Sequence, residues 1–259
     1  MLAITVAFER EIRDYLRAGD FKPVEKRYGF RFYLSSAVRD VVVVEGGFGK
    51  QMSQDSARLV IEKYRPDLLV SAGYAGGARD GLVPGDVFVC RNLLCLTGEV
   101  AYWNAGAVLE KAVPESALPY DQWNDFEIRW GTCLTLPALV SGSSMKEWLG
   151  KTFGSDLVDM ESYWVSEVAE ENGVPCLILR AVFDPVEQTM PTFVAQSVHC
   201  STASIALKAA VYSMSHPLTV KGTMRLMNQA KQATASLSGF LANLTTVGAK
   251  ATDAAVGVA

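Results

Sequence analysis

Four apolar runs constrain what this chain can fold into. LAITVA (residues 2–7), VVVVE (41–45), LLVSA (68–72) and CLILRAVF (176–183) are apolar almost throughout, without alternation. A strand with one wet face alternates apolar and polar side chains, so a continuous apolar strand implies a sheet covered on both faces. Helical patterns fall between these runs: an amphipathic helix over 51–64 that Pro66 ends, another over 144–153, and one that opens near Glu161. Further strands are expected at 87–90 and 133–136. The fold class is therefore α/β, a three-layer αβα arrangement around a central mixed sheet. Residues 103–125 carry prolines, acids and aromatics without a period and read as an irregular excursion that could wall a pocket. The last 50 or so residues read as helices. One domain is expected over 1–245, followed by a low-complexity tail at 246–259 rich in Ala, Val, Gly and Thr.

Composition excludes several functions. The 259 residues carry a net charge of −4, which offers no global basic field for nucleic acid. Apolar runs reach only about six to nine residues, short of the ~20 that span a bilayer, and the N-terminus has no secretory pattern, so a cytoplasmic protein is expected. Five cysteines, an odd number set mostly in apolar runs, look like reduced core thiols. The two histidines, His199 and His216, lack companion ligands at metal-binding spacing. No metal and no cofactor is expected.

Three glycine-bearing stretches invite a ligand. GGFGK (46–50) leaves a strand and opens a helix, so its amides could face an anion, or it is simply a tight turn. SAGYAGG (71–77) also leaves a strand, and Gly73 and Gly76 would let a ligand approach the main chain. It lacks the GxGxxG register and no GKS or GKT follows, which excludes dinucleotide-binding and P-loop readings. VPGDVFV (83–89) reads as a structural turn into a strand.

Two acids stand out in VDMESYWVSEVAEENGVPCLILRAVFDP (158–185): Glu161 at the start of a helix and Asp184 at the end of a buried strand. Each has a structural alternative, Asp184 as a turn or helix-capping aspartate before Pro185 and Glu161 as a first-turn acid. The order of AFEREI (7–12), GGFGK, LLVSAGYAGGARDGLVPGDVFV (68–89), VDMES (158–162) and VPCLILRAVFD (174–184) resembles the purine nucleoside phosphorylase superfamily, most closely its methylthioadenosine/S-adenosylhomocysteine nucleosidase branch. The resemblance covers roughly residues 1–190.

That resemblance implies cleavage of the N-glycosidic bond of a purine nucleoside, hydrolytic, with a 5′-substituted adenosine as substrate. It makes Asp184 the general acid that protonates the leaving base, Glu11 the general base that activates water, and Glu161 the acceptor for the ribose hydroxyls. Met160, Phe8, Gly73, Tyr74, Ala75, Gly76 and Arg180 become substrate-side residues, with Arg180 orienting carboxylates. Met160 also reads as a core filler, and EREI on its own is more often an exposed helix start, so that its place after the first strand is what favours a role for Glu11. The phosphorylases of the superfamily carry an arginine before the glycine motif and a small hydroxyl within it; Ser71, Ala72 and Tyr74 depart from that pattern, and Arg10, Lys50 and Arg79 remain the possible anion contacts.

DMES, the DP after the closing strand and the segment from HPLTV (216–220) are similar to a hopanoid-associated phosphorylase branch, which makes phosphorolysis the alternative. A noncatalytic nucleoside-binding protein is the reading from another class. In the C-terminal segment Val220, Met224, Met227, Ala230, Leu237, Leu241 and Leu244 form one apolar stripe, expected to pack on the domain or on a second subunit rather than on a membrane. A homodimer is the expected assembly.

Overall fold

The computed structural model describes residues 1–97, 107–112, 129–190 and 220–256. The chain runs β1 (Leu2–Val6), a 3-10 turn (Glu9–Ile12), α1 (Arg13–Ala18), β2 (Lys22–Arg27), β3 (Phe30–Leu34), β4 (Val41–Glu45), α2 (Lys50–Tyr64), β5 (Leu68–Gly77) and β6 (Val87–Thr97). It continues with β7 (Ala107–Ala112), β8 (Arg129–Thr135), α3 (Ser143–Phe153), β9 (Leu157–Asp159), α4 (Ser162–Glu171), β10 (Cys176–Asp184) and α5 (Val220–Val256). The ten strands form one mixed sheet, parallel where β1 joins β4 and β5 and where β5 joins β10, antiparallel where β6 joins β10. At one end the sheet curls on itself, because β5 pairs with both β10 and β9 while β6 and β8 bridge those two.

The unbroken apolar strands do what their sequence requires. Val42 and Val44 point to a core shared with α2 and α4, built on Ala57, Val60, Val165 and Val168. Val41 and Val43 point the opposite way, to a core shared with α1 and α5, built on Leu16, Ala233, Leu237 and Leu241. Helices thus cover both faces, as expected from the sequence.

Differences concentrate at the edges and in the C-terminal half. β7 lies within the stretch expected to be irregular; the rest of 103–125 falls outside the described residues. The helix α5 continues to Val256 through most of the stretch read as a tail, and residues 191–219, with His199, Cys200 and His216, lie outside the described residues. Its buried stripe also has a corrected register: Leu226, Gln229, Ala233, Leu237, Phe240, Leu241 and Leu244 are buried, whereas Met224 and Met227 are 62% and 68% exposed. Steps of three and four taken back from Leu237 reach Ala233, Gln229 and Leu226, so the two methionines fall on the other side of the helix. Among the described residues no helix is long and apolar enough to cross a membrane.

Candidate active site

Strand β5 organises the site. It lies parallel to β10 in a register that sets Gly73 beside Arg180 and Gly76 beside Asp184, and the pairing slips by one residue between Val182 and Asp184. Such a bulge re-aims the side chain that follows it. A Cβ on Gly73 would stand 3.6 Å from both Glu11 Oε1 and Arg180 Nη1, and one on Gly76 would stand 3.3 Å from Asp184 Oδ1. The two glycines leave room for two clusters of charge, separated along β5 by roughly 10 Å at the usual rise per residue.

The first cluster lines a cleft with Thr5, Gly47, Ser71 and Gly73, and joins Glu11, Glu161 and Arg180. Glu11 is buried rather than an exposed helix start: its Oε2 accepts from the Phe8 amide at 3.0 Å and its Oε1 from the Tyr74 amide at 3.3 Å. Burial raises its proton affinity above the ordinary carboxylate value, while those two amides, Arg180 and Arg10 pull it back. Glu161 occupies the N-cap position of α4 without capping it. Its Oε1 accepts instead from the Gly49 amide at 3.0 Å and its Oε2 from the Met160 amide at 3.3 Å. The glycine turn of GGFGK therefore does face an anion, and that anion is the protein's own carboxylate. Burial, then the neighbouring Asp159, raises the Glu161 carboxyl to about 8, with Arg180 opposing.

Arg180 is 1% exposed and is committed within this cluster. It donates from Nε to Asp159 Oδ2 at 2.8 Å, from Nη1 to the Ser71 carbonyl and from Nη2 to Ser71 Oγ, both at 3.0 Å. Asp159 also takes the Thr135 hydroxyl at 2.7 Å and the Ser162 amide at 2.9 Å, while Thr135 accepts from the Tyr163 amide, so the two together satisfy the first amides of α4. Burial works to raise the Asp159 carboxyl, yet Arg180 and these donors hold it below the usual range. Nothing in the sequence marks Asp159 or Ser71 for a role. Only folding reveals that they anchor the guanidinium.

The second cluster is Asp184 with Lys146, a pairing the sequence reading missed. Lys146 is fully buried; its Nζ donates to Asp184 Oδ2 at 2.5 Å and to the Pro185 carbonyl at 2.7 Å. Asp184 is 2% exposed and no helix follows it within 185–190, so the capping alternative fails. Burial pushes its carboxyl up to about 6 even though Lys146 pulls the other way. Helix α3 comes this close because Gly150 has no side chain: a Cβ there would fall on the Ala78 carbonyl. Lys146, Leu149 and Gly150 form the buried stripe of α3. A lysine on such a stripe was the available signal. Removing one member of a buried ion pair costs about 3–5 kcal/mol.

The remaining expected residues divide. Tyr74 gives its amide to Glu11, but its phenol turns to α5, bonding Thr234 Oγ1 at 2.5 Å and the Ala230 carbonyl at 3.2 Å, and its ring stacks on Phe183 at 5.4 Å. Thr234 in turn donates to the Arg10 carbonyl at 3.2 Å, so α5 braces the segment that carries Glu11. Ala75 is buried in the core on the α2 and α4 side. Phe8 lies 5.9 Å from Phe48, and Met160 is half-buried beside Glu161. The three possible anion contacts each have a partner: Arg10 over the Phe8 ring, Lys50 over the Trp164 ring and Arg79 with Asp156. Among the described residues no group of three or more His, Cys, Asp or Glu could hold a metal ion.

The model of the phosphorylase superfamily matches residues 1–211. The 5′-methylthioadenosine/S-adenosylhomocysteine nucleosidase of Listeria welshimeri is 26% identical over 195 residues, covering 69% of this chain and 83% of the relative. That of Shewanella baltica is 25% identical over 203 residues, covering 73% and 86%. Among solved structures, the Helicobacter pylori 5′-methylthioadenosine/S-adenosylhomocysteine nucleosidase superposes with a TM-score of 0.70 at 17% identity, covering 95% of this chain and 97% of that one. The futalosine hydrolase of the same organism superposes at 0.69 and 18%, with the same coverage. These structural likenesses concern the fold. With its family model matched over most of its length, the chain belongs to the phosphorylase superfamily.

Proposed function

We propose that the protein hydrolyses the N-glycosidic bond of a purine nucleoside, releasing the base and a free sugar, with a 5′-substituted adenosine such as 5′-methylthioadenosine as substrate. The observation that carries this reading is the charge of the cleft. Glu11 and Glu161 line it and Asp159 stands behind, while Arg180, the guanidinium among the described lining residues, is spent on Asp159 and Ser71. Phosphate is a dianion that needs several preorganised cations or donors, and the ionised Glu11 that the base role requires would repel it. The same carboxylate favours a sugar that becomes oxocarbenium-like as the bond breaks.

Each residue then has one task. Glu11, fixed by two backbone amides, orients water and takes its proton as the oxygen bonds to the anomeric carbon. Glu161 accepts hydrogen bonds from the ribose hydroxyls. Asp184 protonates a base nitrogen while the glycosidic electrons move into the purine, which turns a poor leaving group into a good one. The 5′-substituted adenosine is the substrate class named for the curated relatives. A cytoplasmic homodimer completes the proposal.

The test is incubation of the purified protein with 5′-methylthioadenosine and detection of free adenine; no release from this or any other adenosine derivative contradicts the reading. Glu161→Gln extends it. The substitution is expected to lower kcat with saturating substrate, because the ribose contact strengthens toward the transition state. A 2′-deoxynucleoside already lacks part of that contact and is expected to lose less. Equal losses on the two sugars would remove Glu161 from the ribose site.

A further inference from the structure

Lys146 is a fully buried ammonium with no part in the reaction just described, and its placement has a chemical consequence. It reaches Asp184 from α3, across the Gly76 position of β5. An ammonium is donor-only, so the oxygen it holds, Oδ2, must act as an acceptor. A proton carried by Asp184 is thereby confined to Oδ1. That oxygen lies along β5 at Gly76, where a side chain on the strand would crowd it. The second bond of Lys146, to the Pro185 carbonyl, fixes the ammonium itself relative to the strand end. A side chain at Gly76 would meet Asp184 Oδ1, the stem of Lys146 and Val158 of β9 together, so this oxygen and the lysine converge on one position of β5. Among the described residues Lys146 is the charged side chain acting on Asp184.

We propose that Lys146 is the positioning residue of the general acid, directing the transferable proton to Asp184 Oδ1 and supplying the counter-charge for the carboxylate formed when that proton leaves. The inference rests on the proposed reaction. As the C1′–N bond breaks, its electrons enter the purine; the Oδ1–H bond breaks, its electron pair stays on the carboxylate, and the proton forms the new N–H bond. The product carboxylate then meets an ammonium already in hydrogen-bond contact, so charge separation inside a buried site is avoided. Asp184 regains its proton from solvent, and Glu11 releases the one taken from water.

Two measurements test this. In the first, kcat/KM of Lys146→Gln on 5′-methylthioadenosine is followed against pH. The amide keeps a donor for Oδ2 but removes the charge, so Asp184 becomes a weaker acid. The alkaline limb is expected to move up by about 1–2 pH units, with kcat below the limb reduced about tenfold or more and KM little changed. A merely structural lysine would lower the folded fraction and leave the limb where it is.

The second measurement needs neither turnover nor a lysine substitution. In wild-type protein labelled with ¹⁵N-lysine, the Lys146 Nζ resonance is expected to shift as Asp184 titrates, and that shift is expected to vanish in Asp184→Asn. An unmoved limb in folded Lys146→Gln, or a Nζ resonance indifferent to Asp184, overturns the proposal while leaving the hydrolytic reading intact. Absence of base release by the wild type overturns the hydrolytic reading and the role of Lys146 within it. If Lys146→Gln does not fold, the wild-type resonance decides.

Discussion

Asp184→Asn is expected to lower turnover about 10²–10⁴-fold, the usual contribution of a positioned general acid, while leaving the protein folded. The amide has no carboxylic proton to give. Its oxygen can still accept from Lys146 Nζ, which preserves the hydrogen bond though not the ion pair. The variant is therefore expected to be less stable yet native, and thermal unfolding measured beside activity separates the two effects. The wild-type profile supplies a second check. Asp184 acts in its protonated form, so kcat/KM, which reports the free enzyme, should fall as pH rises past its titration near 6. A folded Asp184→Asn that retains more than about a tenth of wild-type turnover would remove this residue from the chemistry.

Glu11→Gln is expected to cost a comparable factor, for the opposite reason: the residue must be ionised to accept a proton from water. Glu11 accepts from Phe8 with one oxygen and from Tyr74 with the other. A glutamine offers only one oxygen, and its NH₂ would confront the remaining amide donor, so the side chain loses its aim along with its basicity. Because burial raises the Glu11 carboxyl, activity should climb with pH through a midpoint above the ordinary glutamate value. That rising limb is expected to disappear in Glu11→Gln. Its persistence would place the base elsewhere.

Much of this arrangement is legible in the chain, and what is not has identifiable causes. β1, β4, β5 and β10 announce themselves because both of their faces are buried, which leaves an uninterrupted apolar run. β2 gives no such signal: KPVEKR is almost wholly exposed, and its hairpin with β3 turns through Tyr28 and Gly29, both with positive φ. The closure of the sheet depends on β5 finding partners on β9 and β10, contacts that no local pattern encodes. Glu161 and Asp184 stand out as acids at element ends, whereas Glu11, in a stretch that reads as an exposed helix start, is reached only through the family resemblance of AFEREI. Lys146 does not, because it occupies one position on an amphipathic helix and acquires meaning only when Gly150 lets α3 meet Ala78. The basic residues show the converse. Arg10, Lys50 and Arg79 were candidates by charge, yet two lie over aromatic rings and one pairs with Asp156.

The central claim is that water, not phosphate, takes the sugar. Identification of the sugar product from 5′-methylthioadenosine, in phosphate-free buffer and again with phosphate added, tests it most directly. The account predicts adenine and the free 5-methylthio sugar in both buffers, at rates that phosphate hardly alters. Strict dependence on phosphate with a ribose 1-phosphate product would contradict it.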